Sequence, residues 1–294
     1  MEKILSDAIS EITLRADKEE SQVLFDTFVD VGPLISILSS NNNHVLYGRR
    51  GTGKTHVLEY LKNSLLQNGH CAIYLDLRTI GSNQCIYQDS SIPLEQRASK
   101  LVKDVASEIN QGILNQFSIS DNTNNERLEQ VRLIVNEINE LLSSTRIDGK
   151  VTSTETNENK SNDHLGVSFA AGLKETGINV QAKTKDERKA VQSIVRQGRE
   201  IPYIHFPSVS SQYERIVRLL HGKRLIVIID EFSELPLMLQ PYLADMFRRS
   251  FFAIRGLNIK IGAIEHRTCL RIYPDASTCN SFTLVSTKNG RAKN

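Results

Sequence analysis

The feature that most constrains this chain is a glycine-rich octapeptide, GRRGTGKT at residues 48–55, which matches the pattern G-x-x-x-x-G-K-[ST] at every specified position. A short apolar run at residues 44–47 precedes it, and apolar residues at helical spacing follow it over residues 54–66. Glycines let the backbone adopt positive φ angles and approach an oxygen atom closely, and the first N–H groups of a helix then point at that oxygen. The pattern therefore predicts a strand, a phosphate-binding loop and a helix in direct succession.

The motif gives a role to two side chains of the loop. Lys54 is expected to reach the β- and γ-phosphates of a bound nucleotide, and Thr55 is expected to place its hydroxyl on Mg²⁺. A chance glycine-rich turn is the alternative, and the flanking strand and helix argue against it. The predicted nucleotide-binding residues are those of the loop and the residue after it: Gly48, Arg49, Arg50, Gly51, Thr52, Gly53, Lys54, Thr55 and His56.

A second element supplies carboxylates. Residues 225–229 are all apolar and are followed by Asp230 and Glu231, as in a fully buried strand of a parallel sheet. Ligands of such sheets bind beyond the carboxyl ends of the strands, so Asp230 is expected to hold Mg²⁺ directly or through a water. Glu231 is then placed to act as general base on an attacking water. Taken alone, the pattern also fits a buried strand with an exposed acidic end.

Polar residues follow a further apolar strand predicted at residues 259–264. We favour His266, or its neighbour Glu265, as a group that touches the γ-phosphate or orients the water, and ordinary polar residues at a strand end are the alternative. The catalytic candidates are thus Glu231, Lys54 and His266. Arg248 and Arg249 fit an arginine finger for a neighbouring subunit, although a solvated helix face is the favoured interpretation.

The two halves of the predicted site are separated by far more chain than the dozen or so residues that a parallel crossover needs. Helical spacing over residues 94–117 and 126–142 predicts a helical hairpin within this stretch, and alternation over residues 167–182 predicts a β-hairpin. We expect an N-terminal helical segment (1–30), the first part of the core (31–90), an inserted helical hairpin (91–143), a flexible linker (144–165), a β-hairpin insertion (166–200), the second part of the core (201–272) and an irregular tail (273–294).

Composition excludes several classes of protein. The chain has 36 basic and 34 acidic residues and a net charge of +2, so net charge does not support DNA binding, although a local basic patch stays compatible with it. No stretch approaches the ~20 apolar residues of a membrane span, and the N-terminus has no secretory pattern. The 4 cysteines lack zinc-ligand spacing. We therefore expect a cytoplasmic protein without a membrane partner.

The order of four segments, GRRGTGKT, YLDLRTIGS, IVIIDEFSELPLMLQPYLADMFRR and IKIGAIEHRT, resembles the prokaryotic AAA+ ATPases related to origin-recognition (ORC-type) initiators, a branch close to the STAND ATPases. The resemblance spans roughly residues 25–110 and 200–270. It implies an α/β fold, a three-layer αβα P-loop NTPase with a parallel central sheet. It also implies binding and hydrolysis of ATP with Mg²⁺, and often homo-oligomers. The residues that match are Gly48 to Thr55, Asp230 and Glu231.

The resemblance also implies a fifth strand and a C-terminal helical lid. Residues 267–294 are polar and do not resemble a lid, so we expect the lid to be missing. The favoured function is an Mg-dependent ATPase that couples nucleotide state to oligomerisation or remodelling, on DNA or in phage defence. The alternative is a switch that binds ATP or ADP without hydrolysis and presents its insertion to a protein partner. A small-molecule kinase shares the loop, but the Asp-Glu pair suits water better than an acceptor hydroxyl.

Overall fold

The computed structural model describes residues 28–29, 33–80, 84–120, 125–148, 151–156, 191–196, 199–270, 283–286 and 292–293. The chain divides into two compact units, one formed by residues 1–144 and 204–294 and the other by residues 145–203. The helix predicted near the N-terminus and the β-hairpin predicted over residues 167–182 lie outside the described residues. Among the described residues, no helix has the length and apolar character needed to cross a bilayer.

The helices and strands of the described residues run as follows. The helices are α1 (Leu34–Leu38), α2 (Lys54–Gln67), α3 (Gln84–Gln88), α4 (Leu94–Ser120), α5 (Asn125–Ser143), α6 (Phe206–Arg218) and α7 (Gln240–Ser250). The strands are β1 (His44–Tyr47), β2 (Cys71–Asp76), β3 (Thr145–Asp148), β4 (Val151–Thr156), β5 (Val191–Arg196), β6 (Arg199–Pro202), β7 (Leu225–Asp230), β8 (Leu257–Ala263), β9 (Thr283–Ser286) and β10 (Ala292–Lys293). Single 3₁₀ turns follow β7 (Phe232–Glu234) and β8 (Glu265–Arg267).

The first unit is organised around one sheet with the strand order β10-β9-β1-β8-β7-β2. All neighbours are parallel except β10, which runs antiparallel to β9. The register pairs Cys71 with Leu225 and continues to Asp76 beside Asp230, so β2 and β7 end at the same level. The carboxyl ends of the parallel strands therefore lie along one edge, where ligands of open α/β sheets bind.

Side chains of the sheet alternate between two apolar faces, because successive residues of a strand point to opposite sides. One face packs with α4, α5, α6 and α7 and includes Val45, Ile73, Leu75, Val227, Ile229, Ile259 and Ile261. The opposite face packs with α1 and α2 and includes Leu46, Ala72, Ile226, Ile228 and Val285. Helices thus cover both faces of a parallel sheet, and the predicted three-layer α/β fold is confirmed.

The two long helices predicted in the intervening stretch are present as α4 and α5, and their apolar faces belong to the same core as the sheet. Gly112 brings α4 against β2, since a Cβ added to it would lie 2.5 Å from Cγ2 of Ile73. A polar link inside this layer runs from Tyr213, whose hydroxyl donates to Asn110 Oδ1 at 2.9 Å. The two helices therefore pack directly on the sheet, although the sequence places them between two parts of the core.

In the second unit, the prediction of a flexible linker over residues 144–165 is wrong for the residues that the structure describes. The structure instead has β3 and β4 in this segment, and β3 pairs antiparallel with β6 while β4 pairs antiparallel with β5. The segment was assigned as a linker because it is almost wholly polar. Threonines, which it contains in number, favour strands, and backbone pairing does not require apolar side chains.

The prediction of an irregular tail over residues 273–294 is also wrong, because this segment contains the strand β9. The four residues of β9 pair in parallel with β1, from Thr283 beside His44 to Ser286 beside Tyr47, and Val285 is buried. The fifth strand that the resemblance implied is therefore present. A four-residue strand with polar neighbours carries too weak a pattern to be found locally, and it is stabilised by its pairing with β1.

Candidate nucleotide-binding site

The glycine-rich loop joins β1 to α2 at the carboxyl edge of the sheet. Its first residue is fixed by a hydrogen bond of 3.2 Å from the N–H of Gly48 to the carbonyl of Ala263, the last residue of β8. Gly51 and Gly53 have φ angles of +78° and +79°, which side-chain-bearing residues rarely adopt. A Cβ on either would meet nothing within 4 Å, so the loop borders open space and the backbone conformation is what requires glycine.

Two features of this loop suit an anion. Gly53 directly precedes α2 and has no side chain that could accept a hydrogen bond from the first turn, whose N–H groups lack partners within the helix. Lys54 is buried, and its Nζ donates to the carbonyls of Gly48 and Arg49, both at 3.1 Å. The loop thus combines helix-terminal amides with an ammonium group, which are the donors that a phosphate requires.

Asp230 ends β7 and is completely buried. Its Oδ2 accepts hydrogen bonds from the hydroxyls of Thr55, at 2.6 Å, and of Tyr74, at 2.9 Å. Its Oδ1 accepts one from the N–H of Glu231 at 2.8 Å. The predicted metal ligands, Thr55 and Asp230, are therefore in direct contact. Hydroxyl and carboxylate oxygens are hard ligands, and Mg²⁺ commonly uses one or two such groups together with phosphates and water, so these residues fit Mg²⁺.

Glu231 has a backbone φ of +53°, a left-handed conformation that is uncommon for a residue with a side chain. It directly follows Asp230, the residue predicted to hold the metal. Burial, followed by the Asp230 carboxylate, raises the pKa of Glu231, while Arg78 and Lys54 act in the opposite direction. A raised pKa makes a carboxylate a stronger base, which is the property needed to accept a proton from water.

Sequence reasoning missed two residues of β2 at this edge. The hydroxyl of Tyr74 contacts Asp230, and Asp76 lies beside Asp230 in the register. Asp76 binds the guanidinium of Arg78, with the shortest contact at 2.5 Å. The available signal was a tyrosine within the apolar strand CAIYLD, because a buried phenol normally has a hydrogen-bond partner.

The residues after β8 are held by Gln240, which is completely buried. Its side-chain amide donates to the carbonyls of Leu235 and Arg267, at 2.9 and 3.1 Å, and its carbonyl accepts from the N–H of Cys269 at 2.7 Å. Glu265 and His266 lie on the 3₁₀ turn that these hydrogen bonds of Gln240 hold in place, and both are exposed. The structure thus places them at the carboxyl end of β8, and their contact with a γ-phosphate stays a prediction.

Four arginines in or near the predicted site have carboxylate partners. Arg50 extends from the loop and donates to Glu234 at 2.6 Å, and Arg267 lies 3.9 Å from the same carboxylate. The two residues predicted as finger candidates, Arg248 and Arg249, both pair with Asp245 of their own helix at 2.6 Å. Asp245 therefore fixes both guanidinium groups, and a contact with another subunit stays a prediction.

His56, predicted as the last residue of the binding loop, belongs to the first turn of α2. Its ring meets the ring of Phe28 edge-on, with the centroids 5.4 Å apart, and Phe28 also stacks on Tyr60 at 4.0 Å. A contact between His56 and nucleotide stays a prediction.

Comparison with known families gives a match over most of the chain. The model of the ORC-CDC6-like family matches residues 13–263, which is well over half of the 294-residue chain and includes the loop, the acidic end of β7 and all of β8. No curated protein matches the chain.

Proposed function

The chain belongs to the ORC-CDC6-like family of AAA+ ATPases, and we propose that it binds ATP with Mg²⁺ in the loop at residues 48–55 and hydrolyses it. The observation that carries the proposal is the hydrogen bond of 2.6 Å between Thr55 and Asp230. It joins the first residues of α2 to the end of β7, and so unites a phosphate-binding loop with the carboxylate that such a site needs for a metal.

The residues of the chain divide the work of hydrolysis between them. The amides of the loop and the ammonium of Lys54 bind the phosphates and offset their charge, and Thr55 and Asp230 hold Mg²⁺. Mg²⁺ held by these residues would supply positive charge that offsets the charge of the phosphate oxygens. The carboxylate of Glu231 accepts the proton of the attacking water on one of its oxygens, which its raised pKa favours.

A second candidate function is a switch that binds nucleotide without turnover. The ion pair between Arg50 and Glu234 favours it, because this pair connects the loop directly to the 3₁₀ turn after β7. Nucleotide bound in the loop could then change the position of the 3₁₀ turn through this ion pair, without hydrolysis. Tight nucleotide binding without phosphate release would select this function.

Coupling of the nucleotide state to oligomerisation or remodelling belongs to the same proposal. Arg248 and Arg249 at the end of α7 are the observation that suggests this coupling. A guanidinium from a neighbouring subunit can offset negative charge during phosphoryl transfer. The net charge of +2 gives no support to an association with DNA, and phosphate release measured with and without DNA tests that association directly.

The decisive experiment compares two substitutions in the full chain. Glu231→Gln should keep ATP binding and lower phosphate release by roughly a hundredfold or more, because the amide cannot accept the proton. Lys54→Ala should abolish nucleotide binding. Glu214→Gln is the matched control, since Glu214 is an exposed residue of α6 that pairs with Arg218 at 2.9 Å.

Each result answers a separate question. Phosphate release at the wild-type rate in Glu231→Gln would show that this carboxylate is not the base. Nucleotide affinity of the wild-type level in Lys54→Ala would show that the loop is not the site.

A further inference from the structure

The carboxylate of Asp230 lies between the two strands that neighbour β7 and is also bonded from α2. Tyr74 of β2 donates to its Oδ2, and on the other side a Cβ added to Gly262 of β8 would lie 2.7 Å from Oδ1. The same Cβ would lie 2.8 Å from Cδ1 of Leu58, which is completely buried and cannot move aside freely. The carboxylate therefore fits a space that the tyrosine and the glycine define between them.

We propose that Tyr74 is a positioning residue for the metal site: its hydroxyl fixes the carboxylate of Asp230 in the orientation that meets Thr55. This inference rests on the proposed function, because it concerns the metal that accompanies the nucleotide. Tyr74 touches neither the phosphate-binding loop nor the predicted base in the contacts of the described residues, so it acts on the metal only through Asp230.

The hydrogen-bond capacity of Asp230 supports the proposal. An ionised carboxylate has about four lone-pair positions, and Thr55, Tyr74 and the N–H of Glu231 occupy three of them. Among the contacts of the described residues, one position is left for a metal or for a water on that metal. The hydrogen bonds at the other three positions then set the direction in which the free position points. Hydrogen bonds to metal-ligating carboxylates commonly fix the orientation of the ligand in metal sites.

The hydroxyl of Tyr74 can be removed without losing the packing of its ring. Tyr74 packs against the core on the α2 side of the sheet, and the ammonium of Lys62 lies 5.4 Å from the ring centroid. Lys62 in turn pairs with Glu59 at 3.1 Å. Phenylalanine at this position keeps the ring and removes only the donor.

The test measures metal and nucleotide binding separately in the full chain. Mn²⁺ replaces Mg²⁺ as a paramagnetic probe, and its affinity is measured by electron paramagnetic resonance in the presence of ADP. The affinity for a fluorescent ADP is measured in EDTA. Tyr74→Phe should weaken Mn²⁺ binding roughly tenfold and leave the affinity in EDTA unchanged. Gly262→Ala, which displaces the same carboxylate from the opposite side, should weaken Mn²⁺ binding as well.

Tyr213→Phe is the matched control, because it removes the hydroxyl of another buried tyrosine, one that donates to Asn110. It should lower stability by an amount comparable to Tyr74→Phe and leave Mn²⁺ binding unchanged. Unchanged or tighter Mn²⁺ binding in Tyr74→Phe would overturn the inference, and tighter binding would show that the phenol competes with the metal. Failure of the wild-type chain to bind ADP would instead overturn the proposed function.

Discussion

The hydroxyl of Thr55 donates a hydrogen bond of 2.6 Å to Oδ2 of Asp230, and the two residues are 175 positions apart in the chain. One belongs to the first turn of α2 and the other ends β7, so the contact exists only once the sheet has formed. Both groups are oxygen ligands of the kind that Mg²⁺ uses. The same contact thus stabilises the unliganded fold and prepares the site for a metal.

Thr55→Val should therefore affect stability and metal binding together. The substitution keeps the shape of the side chain but leaves the buried Asp230 carboxylate without one of its donors, which should cost about 1–3 kcal/mol in the free energy of unfolding. Urea unfolding without nucleotide measures this cost, and Mn²⁺ titration measures the metal. Thr79→Val is the control, because the exposed hydroxyl of Thr79 donates to the carbonyl of Asp76 at 2.9 Å and Thr79 has no predicted role in binding. Equal effects of the two substitutions would contradict the special role of Thr55.

The buried Lys260 should make stability depend on pH. Its Nζ donates to the carbonyls of Ser40 and Asn42 and contacts Nδ1 of His44, at 2.9, 2.6 and 2.9 Å. Burial, and then the charge of Arg224, lower the pKa of Lys260 to about 7. An unfolded lysine keeps its proton up to a pH of about 10, so between these values the unfolded state binds more protons than the folded state. Stability should consequently rise with pH across that interval.

The control for this effect is Lys260→Met, which has no titrating group at the position. The free energy of unfolding of the wild-type chain, measured relative to that of the variant, should increase between pH values of about 7 and 10. Subtracting the variant removes the contributions of the other titrating groups. A difference that stays constant over this interval would show that Lys260 remains protonated in the folded protein.

Gly112→Ala should destabilise the chain although alanine favours helices. The added methyl group would lie 2.5 Å from Cγ2 of Ile73, and overpacking of this kind typically costs about 1–3 kcal/mol. Ser107→Ala, on an exposed position of α4, is the control for helix propensity. Combining Gly112→Ala with Ile73→Ala, which removes the clashing atom, should cost less than the sum of the single changes in thermal unfolding. Strict additivity would mean that α4 does not press on β2.

The local patterns of the sequence account for the core of the fold. The apolar run at residues 44–47, the helical spacing after it and the six-residue strand β7 were all predicted within a few residues of their observed bounds. They were predictable because a buried strand, and a helix with one apolar face, carry their periodicity within a short window. The family resemblance rested on the same segments and is confirmed by the match over residues 13–263.

The elements that were missed depend on distant partners. β9 is four residues long and is paired with β1, and β3 and β4 lie in a polar segment whose strands are visible only through their pairing with β6 and β5. Their sequences contain neither a long apolar run nor a turn of recognisable type. These segments form strands because they pair with segments far along the chain. A short window of sequence does not contain the pairing partner, so it could not predict them.

The sequence by itself determined that a glycine-rich loop, a lysine and a threonine precede one helix, and that two carboxylates end one apolar strand. Those facts are local, because covalent order and side-chain periodicity fix them. Only the tertiary structure decided that Tyr74 and Thr55 donate to the same oxygen of Asp230 and that Gly262 leaves room for its carboxylate. The physical reason is that β2, β7 and β8 come together through the register of a parallel sheet, which sets distances that no stretch of sequence specifies alone.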